Sequence, residues 1–319
     1  VFDTGARVAP VLFSGSALPM SMLSLMGALE IGLIFALVAL GVWISFRVLD
    51  FPDLTADGSF PLGGAVAAVL IVGGWNPWLA CGVAALAGAG AGLVTGWLNV
   101  RLNILQLLAS ILTMIALYSI NLRIMGAPNV PLLGEPTVFA PFVGEGSAYW
   151  VQPLVLAVIV LAVKLALDWF FASQTGLALR ATGANPRMAR AQGIATGRLT
   201  MGGMALSNAL IALGGALYVQ TQGGSDISMG LGTIVIGLAA VIIGETLMPS
   251  RALIIITLAT VVGAVLYRLF IALALQADFI GLQAQDLNLI TAVLVGVALV
   301  LPKLKAKLRR KPVPTGGRP

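Results

Sequence analysis

Residues 46–64 read FRVLDFPDLTADGSFPLGG and interrupt two long apolar runs with Asp50, Asp53 and Asp57, flanked by Pro52 and Pro61. Proline removes a backbone donor and disfavours helix in the residue before it, so the chain is expected to unwind here. Two readings fit such an interruption. One is a solvated loop of about ten residues; the other is a helix broken inside a membrane protein, where unwound backbone is tolerated only beside a cavity or other protein.

The surroundings of this stretch set the class. Of 319 residues, 59% are hydrophobic and 9% charged, against the roughly 25% charged of a soluble domain. Eighteen basic and 12 acidic side chains are too few to coat a globule of this size, and the mean hydropathy of +1.02 agrees. A soluble enzyme is excluded; the composition is that of a polytopic membrane protein. The 38 glycines suit membrane helices that approach closely through small side chains. There is no histidine, which removes the commonest proton relay, a common zinc ligand and the histidine-based catalytic dyads. Cys81 is the single cysteine, so no intrachain disulfide can form, and its apolar neighbours mark it as a packing thiol. The first residue is Val1, with no basic, cleavable signal segment, and the start is read as trimmed.

A crossing needs about 20 mostly apolar residues. Candidates lie near 22–46, 60–74, 78–99, 104–120, 151–172, 199–220, 229–244, 252–275 and 287–302. Arg180, Arg187, Arg190 and Arg198 crowd one connection, and Lys303, Lys305, Lys307, Arg309, Arg310 and Lys311 follow the last candidate. Positive residues favour the cytoplasmic side, so both regions are expected there, with Arg47 and Arg101. An even number of crossings separates them, so the two assignments agree. The loops 121–150 and 276–286, with Glu135, Glu145, Asp278 and Asp286, and the amino terminus then lie outside.

An internal repeat runs through this frame. Residues 36–41, ALVALG, return as ALIALG at 209–214, an offset of 173. The same offset pairs Asp53, Leu54 and Thr55 with Asp226, Ile227 and Ser228, Gly64 with Gly237, and Gly90 with Gly263. Five crossings separate the paired segments, so the halves would be inverted, which is a transporter architecture with a pathway between halves and broken helices along it. On this reading Asp50, Asp53, Thr55, Asp57, Ser59, Asp226 and Ser228 are the candidate pathway residues. Neither break offers a convincing set of metal ligands.

The connection 173–199, SQTGLALRATGANPRMARAQGIATGRL, carries Arg180, Arg187 and Arg190 on a short helical stretch. Asn185 before Pro186 reads as an N-cap and first-turn pair, and Gly193 as the stop. Such an exposed, amphipathic helix either lies on the inner surface or docks a soluble partner.

The segment GLALRATGANPRMARAQGI resembles the coupling-helix region of the inner-membrane permeases of ABC importers, in the branched-chain amino acid and ribose permease superfamily. ALIALGGALYVQTQGG, GLGTIVIGLAAVIIGE and LGVWISFRVLDFPDLTADGSFPLGG extend the resemblance over residues 25–303. The DLTADG form resembles a subgroup whose binding proteins are commonly predicted to carry amino acids, aromatic ones among them. The resemblance implies an all-α polytopic protein of about 8–10 transmembrane helices, of the type II ABC importer kind, in a bacterial inner membrane with its C-terminus cytoplasmic. It implies one permease domain over 1–303, with halves at 22–172 and 199–303, a coupling segment at 173–198 and a basic tail at 304–319. Its partners would be a cytoplasmic ABC ATPase dimer, an extracytoplasmic solute-binding protein and a second permease copy. ATP and Mg would sit on the ATPase, leaving this subunit without cofactor or catalytic residues. Arg180, Asn185, Pro186, Arg187, Arg190 and Gly193 would contact the ATPase.

No lysine is preceded by glycine, so the chain has no P-loop and ATP must be hydrolysed elsewhere. An ion-coupled secondary transporter or channel would share the inverted repeat and the broken helices but not the coupling segment. The +6 charge is read as membrane topology and not as nucleic-acid binding. Lys164 and Asp168, four apart, read as an interfacial ion pair. Arg268, inside an apolar run, either finds an acid or water in the bundle or snorkels toward the outer surface. Gln106, Ser110, Thr113 and Asn121 either line a path or bond between helices. Trp75, Trp78 and Trp150 read as belt anchors.

Overall fold

The computed structural model describes residues 22–142, 150–275 and Gly296. In chain order the elements are α1 (Met22–Trp43), a π-helical turn (Ile44–Val48), α2 (Ala56–Val72), α3 (Pro77–Leu102), α4 (Gln106–Met125) and β1 (Asn129–Pro131). After these come α5 (Val151–Ala172), α6 (Gln174–Ala184), α7 (Pro186–Ala191), α8 (Thr196–Gln222), β2 (Gly224–Asp226), α9 (Thr233–Leu247) and α10 (Leu253–Leu275). Among the described residues α1 with its π turn, α3, α4, α5, α8 and α10 are long and apolar enough to cross a membrane. The helices α2 and α9 are shorter and apolar. The protein is an all-α, multi-pass membrane protein. The expected run at 287–302, the basic tail, Glu145, Asp278 and Asp286 lie outside the described residues.

Local chemistry sets the helix ends. Asn76 accepts a bond from the Trp78 N–H at 2.9 Å, with Pro77 in the first helical position, and so opens α3. Asn103 at φ 53° closes α3 and Gly126 at φ 68° closes α4. Trp75, Trp78 and Trp150 stand exposed beside these helix ends, as belt residues should.

Two expectations about breaks change. The interruption is narrower than 46–64: α1 runs on through its π turn, and only residues 49–55 lie between it and α2. Pro61 sits inside α2 rather than in the break. It is the sixth residue of that helix, so its missing N–H leaves one bond of the ladder, to the Asp57 carbonyl, unmade. The basic helical stretch at 180–190 is also two helices, because Asn185 is extended (φ −157°, ψ 93°) ahead of Pro186.

The repeat is visible in the packing. Sixty-seven per cent of the apolar stretches of α1 and of α8 is buried, against 28% in α4, so α1 and α8 form the centre. A Cβ on Gly41 would stand 2.6 Å from Ser207 O and 2.7 Å from Ile211 Cγ1, while one on Gly214 would meet Ile34 O at 3.4 Å and Val38 Cγ2 at 3.1 Å. Subtracting 173 from the second residues of the first set gives the second set. The two helices are thus antiparallel and related by a pseudo-two-fold. The contact of Gly215 with Gly64 returns as that of Val42 with Gly237, and that of Gly92 with Ala205 returns as that of Val265 with Gly32. Each contact sets a glycine backbone against the neighbouring helix, the close approach that small residues permit in the absence of a hydrophobic driving force between membrane helices.

Lys164 and Asp168 do form an ion pair, but it is buried inside the bundle. Thr257 Oγ1 donates to Asp168 Oδ1 at 2.7 Å and so ties α10 to α5. A membrane interior leaves such charges only each other and nearby hydroxyls as partners, which favours this interhelical place over a lipid-facing one.

Candidate functional site

The break after α1 folds around a buried carboxylate. Asp53 Oδ1 accepts from the Thr55 N–H at 2.9 Å, an Asx turn that the Asp-aliphatic-hydroxyl triplet favours. Asp53 Oδ2 accepts from Asn208 Nδ2 at 2.7 Å, and Asn208 Oδ1 accepts from Ser59 Oγ at 2.7 Å. Thr55 and Thr95 share a hydroxyl bond of 2.8 Å. All five side chains are buried, so α2, α3 and α8 close on one another through a fully bonded polar cluster. Asn121 on α4 donates to Gly58 O at 3.1 Å and holds the first turn of α2 from the other side.

The second break, after α8, repeats the turn. Asp226 Oδ1 accepts from the Ser228 N–H at 2.7 Å and from the Ser228 hydroxyl. Here the pair is open to solvent, and β2 pairs antiparallel with β1 in the α4–α5 connection, Asn129 opposite Asp226.

The two breaks meet where α2 and α9 begin. Asp57 Oδ1 accepts from the Ile234 N–H at 2.8 Å, satisfying one orphan donor of the α9 amino end. The offset of 173 maps Asp57 onto Gly230 and Ile234 onto Pro61. Those counterparts also touch: a Cβ on Gly230 would stand 2.4 Å from Pro61 Cγ. One half therefore has a carboxylate facing an N–H, and the other has glycine facing an imide without one. Neither side leaves a donor unmet.

The candidate pathway residues thus occupy separate levels. Asp53, Thr55 and Ser59 share the buried cluster, Asp57 joins the two short helices, and Asp226 with Ser228 lies in the break after α8. Asp50 is exposed at φ 52° and lines a cleft of about 840 Å³ with Arg180, Gly183 and the Arg47–Glu245 ion pair. Sequence reasoning missed Thr95 and Asn208. Asn208 precedes the ALIALG repeat inside an apolar run, and a lone amide there was the available signal.

The same face carries α6 and α7. Ser173 accepts from the Gly176 N–H at 3.3 Å to open α6, and Asn185 accepts from the Met188 N–H at 3.0 Å to open α7. Gly193, at φ 80°, ends the segment. Arg180, Asn185, Pro186, Arg187, Arg190 and Gly193 are all exposed, and so are Leu177 and Met188. Gly176, Leu179, Thr182 and Ala189 face inward. A Cβ on Gly183 would lie 1.7 Å from Val48 O, so α6 rests directly on the π turn that leads into the first break. A second cleft of about 620 Å³ lies between Arg190, Pro186 and Thr182 on one side and Asn99, Asn103 and Gln106 on the other. On α4, Ser110 and Thr113 bond back to carbonyls of their own helix rather than between helices.

Known proteins place this arrangement. The family described as branched-chain amino acid transport system / permease component matches residues 24–302. The tyrosine transport system permease protein of Clostridioides difficile (strain R20291) is 40% identical over 279 residues, 87% of this chain and 91% of that protein. An uncharacterized protein of Rickettsia prowazekii (strain Madrid E) is 37% identical over 223 residues, 69% of this chain and 76% of that one. The nucleoside ABC transporter permease protein of Lactococcus lactis subsp. cremoris (strain MG1363) is 33% identical over 124 residues, 38% of this chain and 37% of that one. No solved structure matches the chain.

Proposed function

Because the chain belongs to the branched-chain amino acid transport permease family, we propose that it is the membrane subunit of an ATP-binding cassette importer for an amino acid. The family membership makes it a transport subunit and not an enzyme. On our reading it receives its solute from an extracytoplasmic binding protein and passes it across the bacterial inner membrane by alternating access. It works as a pair of permease copies on a cytoplasmic ABC ATPase dimer that binds the ATP and Mg. The Arg-bearing face with α6 and α7 is the cytoplasmic one.

The observation that carries this reading is the seating of α6 and α7. Their arginines and two apolar side chains face outward, unused by the described fold, while Gly183 presses on Val48. A partner that moves α6 therefore pushes directly on the π turn, whose extra residue per turn makes it a natural place to yield. The turn continues into the Asp53 cluster, and the short helices α2 and α9, joined through Asp57, would rock with it. The amino-acid class comes from the relative that is named a tyrosine transport permease.

Reconstitution in proteoliposomes tests this. Uptake of an amino acid is expected only with the ATPase, ATP and a loaded binding protein together. Uptake by the permease alone, driven by an ion gradient, would replace the ABC reading with that of a secondary transporter.

A further inference from the structure

Arg268 lies within the apolar stretch of α10 and finds no acidic partner in the described fold. The two ion pairs among the described residues are Arg47–Glu245 and Lys164–Asp168. Its Nε is closed off from solvent and has no hydrogen-bond partner among the described residues. Its guanidinium carbon instead sits 4.9 Å above the Phe35 ring. Phe35 belongs to an aromatic group with Phe60 and Tyr218, at centroid distances of 5.7 Å and 6.2 Å, with Phe60 and Tyr218 5.4 Å apart. Close packing of Gly32 against the Val265 backbone and Arg268 Cβ fixes the root of the side chain.

The pseudo-two-fold shows why this arrangement is unusual. Offset by 173, Arg268 takes the place of Thr95, and Phe35 that of Asn208. In one half these positions complete the bonded cluster around Asp53. In the other half a cation and a ring stand in their stead, and the corresponding turn closes on itself, Asp226 with Ser228. The contacts repeat at the offset of 173, but the positions of the second polar cluster hold a charge without an acidic partner among the described residues. A cation held in a membrane span is costly and is retained where something uses it.

We propose that Arg268 receives the carboxylate of the transported solute, with Phe35, Phe60 and Tyr218 packing beside the solute's apolar or aromatic side chain. A guanidinium whose one face lies on a ring keeps its edge hydrogens, and in the transport conformation that uncovers the Nε–H, that group with an Nη–H forms the fork that a carboxylate accepts in two parallel bonds. The solute class that fits is a small amino acid with a large apolar or aromatic side chain. This rests on the amino-acid importer reading above and adds to it a contact within the membrane.

The test uses the complete transporter in proteoliposomes, with tyrosine as the probe. Arg268→Gln is expected to lower tyrosine uptake at least tenfold, with assembly and binding-protein-stimulated ATP hydrolysis kept within twofold of the unmodified complex. Arg268→Lys keeps the charge but not the fork and is expected three- to tenfold below the unmodified complex. If the Gln variant does not assemble, the Lys variant decides by the same criterion. Unmodified uptake in either variant overturns the proposal, as does a loss of uptake in which ATP hydrolysis falls in parallel, which would assign Arg268 to packing. An unmodified complex that hydrolyses ATP yet transports no amino acid is the distinct failure of the underlying reading, and the proposal falls with it.

Discussion

Replacing Gly183 by alanine probes the joint between the exposed helices and the first break. The added Cβ would lie 1.7 Å from Val48 O and 2.7 Å from its carbonyl carbon. A carbon needs about 3.3 Å from a carbonyl oxygen, so the two backbones must part by roughly 1.6 Å. Both are main chain, and no rotamer change relieves the clash. Overpacking costs about 1–3 kcal/mol where side chains can adjust, so the upper end applies here. In detergent this should appear as a melting temperature lowered by roughly 6 °C, at about 2 °C per kcal/mol for a chain of this length. More tellingly, solute moved per ATP hydrolysed should fall, because α6 no longer bears on the π turn. Gly202→Ala is the control, since its Cβ meets nothing within 4 Å. If Gly183→Ala melts and transports like Gly202→Ala, the direct contact between α6 and the π turn is not what links partner to pathway.

Other outcomes follow from the same geometry. Asn208→Ala removes a donor from Asp53 and the acceptor of Ser59, and should destabilise the protein by about 2–3 kcal/mol, read by thermal unfolding. Asp57→Ala leaves the Ile234 N–H unanswered and should cost about 1.5–3 kcal/mol and slow uptake more than ATP hydrolysis. In a Cys81→Ala background, a cysteine at Ser228 should react at once with an aqueous thiol reagent. One at Ser59, which is buried, should react only in a nucleotide state that opens the cluster, and labelling in no state would remove it from the pathway. Arg190→Glu should weaken co-purification of the ATPase while leaving the melting temperature within a degree or so, because the side chain is exposed.

Much of this was legible in the sequence because it depends on local chemistry. Length and hydropathy located all eight of the apolar helices the structure describes, and Asn185-Pro186 and Gly193 gave the start and stop of α7. The Asp53 and Asp226 triplets were legible as turns because the Asx bond spans two residues. What was not legible depends on partners far away along the chain. The Ile234 N–H reaches Asp57 across 177 residues and Asn208 reaches Asp53 across 155, and periodicity does not say which helices will face each other. Pro61 looked like a breaker because its position within a helix cannot be judged before the helix start is known. The offset of 173 reads in the sequence as an inverted repeat, without saying which residues touch. Only the contacts of Gly41 with Gly214's counterpart set, and of Asp57 with Ile234 against Gly230 with Pro61, turn it into a symmetry, and only the symmetry makes Arg268 conspicuous.

On the proposed reading an external ATPase drives this subunit through α6 and α7. The most direct measurement is tyrosine uptake into proteoliposomes holding the permease and its ATPase, with a loaded binding protein outside and ATP sealed within, compared for the unmodified chain and Arg190→Glu. ATP-dependent accumulation is expected from the unmodified complex, and a loss of at least tenfold in the variant, with its fold intact. Accumulation that persists without ATP, or that survives the charge reversal undiminished, would contradict it.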